Sequence, residues 1–127
     1  MKEPVSTKNA PSAIGPYSQA VKAGGMIFCS GQIPIDPLTG QVVSGSAAEQ
    51  ARRVMENLKA VVEAGGYSMS DIVKTTIYLT DLSAFAEVNR IYESFFVAPY
   101  PARATVQVAA LPRGVAVEID AIASKTP

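Results

Sequence analysis

Histidine is absent from the 127-residue chain, and cysteine occurs once, as Cys29. The first absence removes Ser-His-Asp and Cys-His nucleophile pairs and the commonest transition-metal ligand. The second removes an intrachain disulfide and any thiolate cage for zinc, so the ligand set of a zinc deaminase cannot be built. Charge is scarce as well. Only 17% of residues are charged, the formal net charge is zero, and no run of one sign exceeds the pair Arg52-Arg53. Such a surface offers no electrostatic footprint for a nucleic-acid backbone or an anionic membrane. No stretch approaches the ~20 apolar residues that span a bilayer. Met1-Lys2-Glu3-Pro4 is not a charged head leading into an apolar run, so the cytoplasm is the expected compartment. Neither G-x-x-x-x-G-K-[ST] nor G-x-G-x-x-G occurs, and no acidic cluster has metal-ligand spacing. Chemistry without metal or cofactor is left to Arg, Asp, Glu, Tyr, Lys, hydroxyls and the backbone.

What is present is an apolar-rich chain, 48% hydrophobic, of a length that fits one domain over residues 1–127. Soluble domains carry charge on about a quarter of their residues. The deficit points to surface buried against other copies of the chain. Periodicity predicts six short strands and two helices. Val5–Thr7, Gln19–Ala23 and Met26–Gln32 read as strands, the last two joined by Gly24-Gly25, whose positive backbone angles suit a tight hairpin. Ser46 and Glu49 form a capping box for a helix whose apolar stripe is Ala47, Ala51, Val54, Leu58, Val61 and Val62, and which Gly65-Gly66 stops. Ile72–Thr80 alternates as a strand, with Val73, Thr75, Ile77 and Leu79 facing one way. Asp81 or Ser83 starts a second helix with Phe85, Val88, Tyr92 and Phe95 on its buried side, ended by Pro99 and Pro101. Thr105–Ala109 and Val115–Ala123 are the last strands. The class is α+β: one sheet with two helices on one face and the other face left bare. A bare face rich in Val, Ile and Ala also needs a partner.

Four segments carry candidate chemistry. Ile14-Gly15-Pro16-Tyr17 fixes a turn and places a phenol at a loop edge, either as a packed aromatic or in a cleft. Ser30-Gly31-Gln32 ends a strand, where Gly31 is a bulge glycine or a point of close ligand approach. Arg103, at the mouth of a mostly apolar strand, is a solvated surface group or a fork that grips a carboxylate in two parallel hydrogen bonds. Glu118 interrupts the apolar run Val115–Ile119 and by strand parity shares a face with Ala116, Asp120 and Ile122. It is solvated, or partly buried with a raised pKa suited to proton transfer. Thr7-Lys8-Asn9 and Asn57 have no catalytic reading.

Taken together, these segments resemble the RidA/YjgF-like family. Ser6-Thr7, Ala10-Pro11 and Ile14-Gly15-Pro16-Tyr17-Ser18-Gln19-Ala20 look like its N-terminal signature. Ser30-Gly31-Gln32-Ile33 with Asp36-Pro37 and Gly40, Val73-Lys74-Thr75-Thr76, and Phe85-Ala86-Glu87-Val88-Asn89 are similar to its middle blocks. Pro101-Ala102-Arg103 through Leu111-Pro112 to Val117-Glu118-Ile119 looks like its C-terminal signature. The resemblance implies a homotrimer of chorismate-mutase-like subunits, with bare sheet faces packed into a central barrel and clefts between subunits. It also implies hydrolysis of 2-iminobutanoate and 2-iminopropanoate, products of dehydratases acting on threonine and serine.

By position, Arg103 matches the family's carboxylate-binding arginine and Glu118 its water-directing acid, with Tyr17 beside them. Ser30, Gly31, Asn89 and Thr105 match further substrate-binding positions. Thr105 stands where many bacterial relatives carry a cysteine, which speaks against thiol chemistry, and Cys29 reads as a strand core residue. The expected partners are other copies of the chain and small 2-imino or 2-oxo acids, with no membrane and no nucleic acid. Two rival readings stay open: a non-catalytic trimer that binds small carboxylates, and an endoribonuclease.

Overall fold

In the computed structural model, which describes residues 1–125, Gly24 and Gly25 adopt φ of 59° and 78° and close the hairpin between β2 (Ala20–Ala23) and β3 (Met26–Gln32). β1 (Glu3–Val5) pairs antiparallel with β2, and begins two residues earlier than its alternation predicts. Ser46 caps α1 (Ala47–Ala64), with the reciprocal Glu49 bond of a capping box. Gly65 closes the helix and Gly66, at φ 87°, turns the chain away. β4 (Ile72–Leu79) follows. Asp81 then accepts a bond from the Ser83 amide and caps a 3₁₀ turn, Leu82–Ala84, that leads into α2 (Phe85–Glu93). The last strands are β5 (Ala102–Gln107) and β6 (Val117–Ser124), joined through a 3₁₀ turn at Pro112–Gly114.

The six strands form one sheet in the order β1-β2-β3-β6-β4-β5. Only β4 and β5 run parallel, because α2 carries the chain back across the sheet between them. α1 lies over β3 and β6, and α2 packs beside α1 on the same face. Between helices and sheet sit Ile27, Met55, Leu58, Ile77, Leu79 and Ile119, all fully buried. The expected α+β architecture, with two helices on one face, is thus observed.

Besides β1, α2 and β6 differ in extent from the sequence reading: α2 stops at Glu93, short of Phe95 and the prolines, and β6 starts at Val117, two residues after its predicted start. Two further differences have physical causes. β5 starts at Ala102, three residues before its predicted start, because pairing with Lys74 to Leu79 of β4 extends the ladder past the prolines. Arg103 therefore lies within a strand. In β4 the register shifts between Ile72 and Lys74 opposite β6, so Ile72 is buried while Val73 turns outward at 46% exposure. A bulge of this kind breaks strict alternation and removes Val73 from the predicted core face.

The face opposite the helices carries Phe28 and Ile122 side by side in register, then Asp120 beside Thr76, then Glu118 beside Tyr78 and Val106. Phe28 and Val106 are 40% and 41% exposed there. Among the described residues no element of the chain covers this face.

One polar residue holds a loop that borders a cavity described below. Asn57, fully buried on α1, donates to the Ile33 and Ile35 carbonyls at 3.2 and 3.0 Å and accepts from Arg53 Nε at 3.1 Å. Asn57→Ala leaves both carbonyls without this donor. A loss of about 2–4 kcal/mol is expected from urea unfolding at fixed protein concentration. A loss below about 0.5 kcal/mol, the scale of an ordinary surface change, contradicts this role.

Candidate functional site

Glu118 owes its setting to an irregularity in β3. Cys29 pairs with Ala121 and Gln32 with Ile119, so Ser30-Gly31 forms a bulge against β6. A β-carbon at Gly31 would collide with the Glu118 carboxyl and lie 2.9 Å from its Cδ. The missing side chain is therefore what leaves room for the carboxyl. Of the two sequence readings of Gly31, the bulge is observed, and the close approach seen is that of the chain's own Glu118 side chain. Flanked by core residues Val117 and Ile119, Glu118 points to the uncovered face, as parity predicts. Burial raises its pKa above the usual carboxylate value, and the charge of Asp120 two residues on adds to the shift. Asp120 in turn accepts a hydrogen bond from Tyr78 Oη at 3.0 Å.

Tyr17 lies near this bulge. Gly15, at φ 120°, turns the chain and the Tyr17 amide bonds back to its carbonyl at 2.9 Å, which leaves the phenol 54% exposed. It is a cleft residue and not a packed aromatic. Tyr17 and Gly31 line a largely apolar cavity of about 230 Å³ with Ile14, Ile33, Ile35 and Arg113. The Ser30 hydroxyl donates to the Ser18 carbonyl at 2.6 Å, pinning the segment after Tyr17 to the bulge. Gly31→Ala must push the carboxyl aside. The overpacked carboxyl is expected to cost about 1–3 kcal/mol in urea unfolding. A loss within about 0.5 kcal/mol, the scale of an ordinary surface change, contradicts this role for the glycine.

The other candidate residues gather elsewhere. Arg103 projects toward the helices, where Nη1 donates to Asn89 Oδ1 at 2.6 Å and the guanidinium lies over the rings of Phe85 and Tyr92. Asn89 thus orients the arginine through its side-chain oxygen. Arg103, Asn89 and Tyr92 border a cavity of about 360 Å³ together with Glu93, Tyr100 and Pro101. Thr105, two residues along β5, has a buried hydroxyl with no hydrogen-bond partner among the described residues.

Within one chain the two groups do not meet. β4 separates β5 from β6, so Arg103 and Glu118 are two strands apart, on the order of 10 Å. They also project from opposite faces of the sheet. Cys29 stands apart from both groups. Burial, with the Asp120 charge, pushes its thiol up to about 12, so it is un-ionised at neutral pH and inert as a nucleophile. No group of three or more Cys, Asp or Glu among the described residues is arranged to hold a metal ion. No helix among them is long and apolar enough to cross a membrane. Sequence reading placed Tyr92 only as a buried helix residue; the nearby strand arginine was the signal for more.

Comparisons with known proteins identify the class to which this α+β chain belongs. Residues 7–125 match the family model described as Endoribonuclease L-PSP. The 2-iminobutanoate/2-iminopropanoate deaminase of Salmonella typhimurium is 53% identical over 126 residues, covering 97% of this chain and 98% of the relative. The crystal structure of the YjgF gene product from E. coli is 51% identical with a TM-score of 0.94, covering 98% and 99% of the two chains. That of E. coli TdcF with bound serine is 48% identical at the same TM-score, with the same coverage. The chain belongs to the RidA/YjgF family.

Proposed function

We propose that this protein is a cytoplasmic, homotrimeric deaminase that hydrolyses the imines of short 2-oxo acids, 2-iminobutanoate and 2-iminopropanoate. Water adds to the C=N carbon, the nitrogen leaves as ammonia and the carbonyl of the 2-oxo acid forms. The observation that carries this reading is the half-buried Glu118 carboxyl, seated on Gly31 with a raised pKa. A base of this kind holds a water and accepts its proton as it attacks. Arg103, with one N–H committed to Asn89, keeps four donors for a substrate carboxylate. Backbone groups near Gly31 and Thr105, with the Tyr17 hydroxyl, hydrogen-bond the substrate nitrogen and the developing carbinolamine. Because Arg103 and Glu118 lie on opposite faces of one sheet, the working site takes one from each of two copies. The exposed apolar residues Phe28 and Val106 supply a reason for copies to pack on the uncovered face.

An iminium carbon is already electrophilic, so positioning and acid–base help worth about 10²–10⁴-fold suffice. The test follows the decay of freshly generated 2-iminobutanoate with and without the protein, in a coupled assay with a threonine dehydratase. Faster ammonia release with the protein is expected. Release no faster than in buffer overturns the proposal and leaves a carboxylate-binding module. RNA cleavage is disfavoured by the zero net charge and lack of a basic stripe. Cleavage by pure protein that survives loss of Arg103 would restore it.

A further inference from the structure

Arg103 does not lie over a loosely packed ring. Its Cζ is 5.0 Å from the Tyr92 ring centroid and 5.3 Å from that of Phe85. Tyr92 is itself locked. Its hydroxyl shares a 2.7 Å hydrogen bond with Thr75 Oγ1, and Thr75 is fully buried. Thr75 is also the residue that pairs with Arg103 across the parallel β4–β5 ladder. Phe96 packs against the Tyr92 ring, at 4.8 Å between centroids and 50° between planes. One closed loop of contacts therefore runs from the Arg103 backbone through Thr75 to the Tyr92 ring and back to the guanidinium.

We infer that Tyr92, tethered by Thr75, is a positioning residue that fixes the plane and reach of the Arg103 guanidinium. This inference rests on the reading of Arg103 as a carboxylate grip. A free arginine side chain samples many rotamers, and a bidentate bond to a planar carboxylate uses few of them. Asn89 fixes one nitrogen only. The ring face restrains the guanidinium plane and attracts its charge. The hydroxyl bond keeps the ring from swinging with α2. The raised pKa of the Tyr92 hydroxyl, caused first by burial, keeps it un-ionised and available to share the bond with Thr75.

The test compares wild type with Tyr92→Leu, which removes the ring, and Thr75→Val, which keeps volume but removes the tether. Two readings are taken: the Nε–Hε NMR signal of Arg103 and the affinity for 2-oxobutanoate, a stable product. In the wild type the Arg103 signal is expected to be sharp and protected from exchange. In Tyr92→Leu it should broaden toward free-arginine behaviour. Affinity for 2-oxobutanoate should fall about tenfold, with KM for the imine rising in parallel and kcat changing less than about threefold. Thr75→Val should move each reading in the same direction by a smaller amount, and it decides the matter if Tyr92→Leu does not fold. An unchanged Arg103 signal in a folded variant overturns the inference. Failure of wild type to bind 2-oxobutanoate is a different result: it overturns the proposed function, while the NMR signal still decides whether Tyr92 holds the arginine.

Discussion

Glu118→Gln is expected to lower kcat for imine hydrolysis about 10²–10⁴-fold while 2-oxobutanoate still binds within a few-fold of wild type. The amide keeps the shape of the carboxyl and its place over Gly31, but it cannot accept the proton of an attacking water. Two accompanying effects follow from the raised pKa of Glu118. The proposed mechanism uses this group ionised, so kcat/KM should fall on acidification through a pKa above the ordinary 4.5. The stability effect has the opposite sense. A carboxyl whose pKa is higher folded than unfolded favours the native state while protonated, and that contribution is lost as pH rises through the folded value. The neutral amide carries no such loss, so Glu118→Gln should be no less stable than wild type near pH 7. Full hydrolytic activity in the folded variant removes Glu118 from the reaction. Loss of both binding and folding shows instead that the carboxyl is structural.

Much of this arrangement is legible in the residue order, and what is not has a common cause. The capping box at Ser46, the glycine hairpin and the outward face of Glu118 follow from periods of 3.6 and 2, which are local properties. Gly31 marks the bulge locally, but the seat of Glu118 on it depends on the register of β3 against β6, which neither strand's own pattern encodes. Val73 was misplaced for the same reason, since a second bulge shifts β4 against β6. β5 began earlier than its apolar run because a parallel neighbour, distant in sequence, supplied hydrogen-bond partners to Ala102 and Arg103. The bond between Tyr92 and Thr75 joins a helix to a strand 17 residues away. Periodicity gives each its buried face without showing that they touch. Helix and strand faces are set locally, whereas the precise seats of functional groups are set where elements slip past one another.

Arg103→Lys is expected to lower kcat/KM about 10²–10³-fold, because charge is conserved and geometry is not. The guanidinium reaches Asn89 with one nitrogen while its remaining donors stay in a fixed plane over Phe85 and Tyr92. An ammonium is a point donor on a flexible stem. If it bonds Asn89 it has no second arm in a set plane, and if it turns to the substrate it leaves Asn89 without a donor. Near-normal turnover in Arg103→Lys removes the arginine from the mechanism. The same variant also tests whether the two groups meet across copies. Within a single chain they project from opposite faces with β4 between them, so Arg103→Lys and Glu118→Gln chains should each be inactive alone. Co-folded in equal amounts, they generate some junctions that pair an intact arginine on one copy with an intact glutamate on the next. Random assembly of a closed ring makes this roughly one junction in four, so about a quarter of wild-type activity should return. If the two groups instead met within a chain, every chain would carry one defect and mixing would restore nothing. Activity no greater than the sum of the separate variants therefore rules out a shared site.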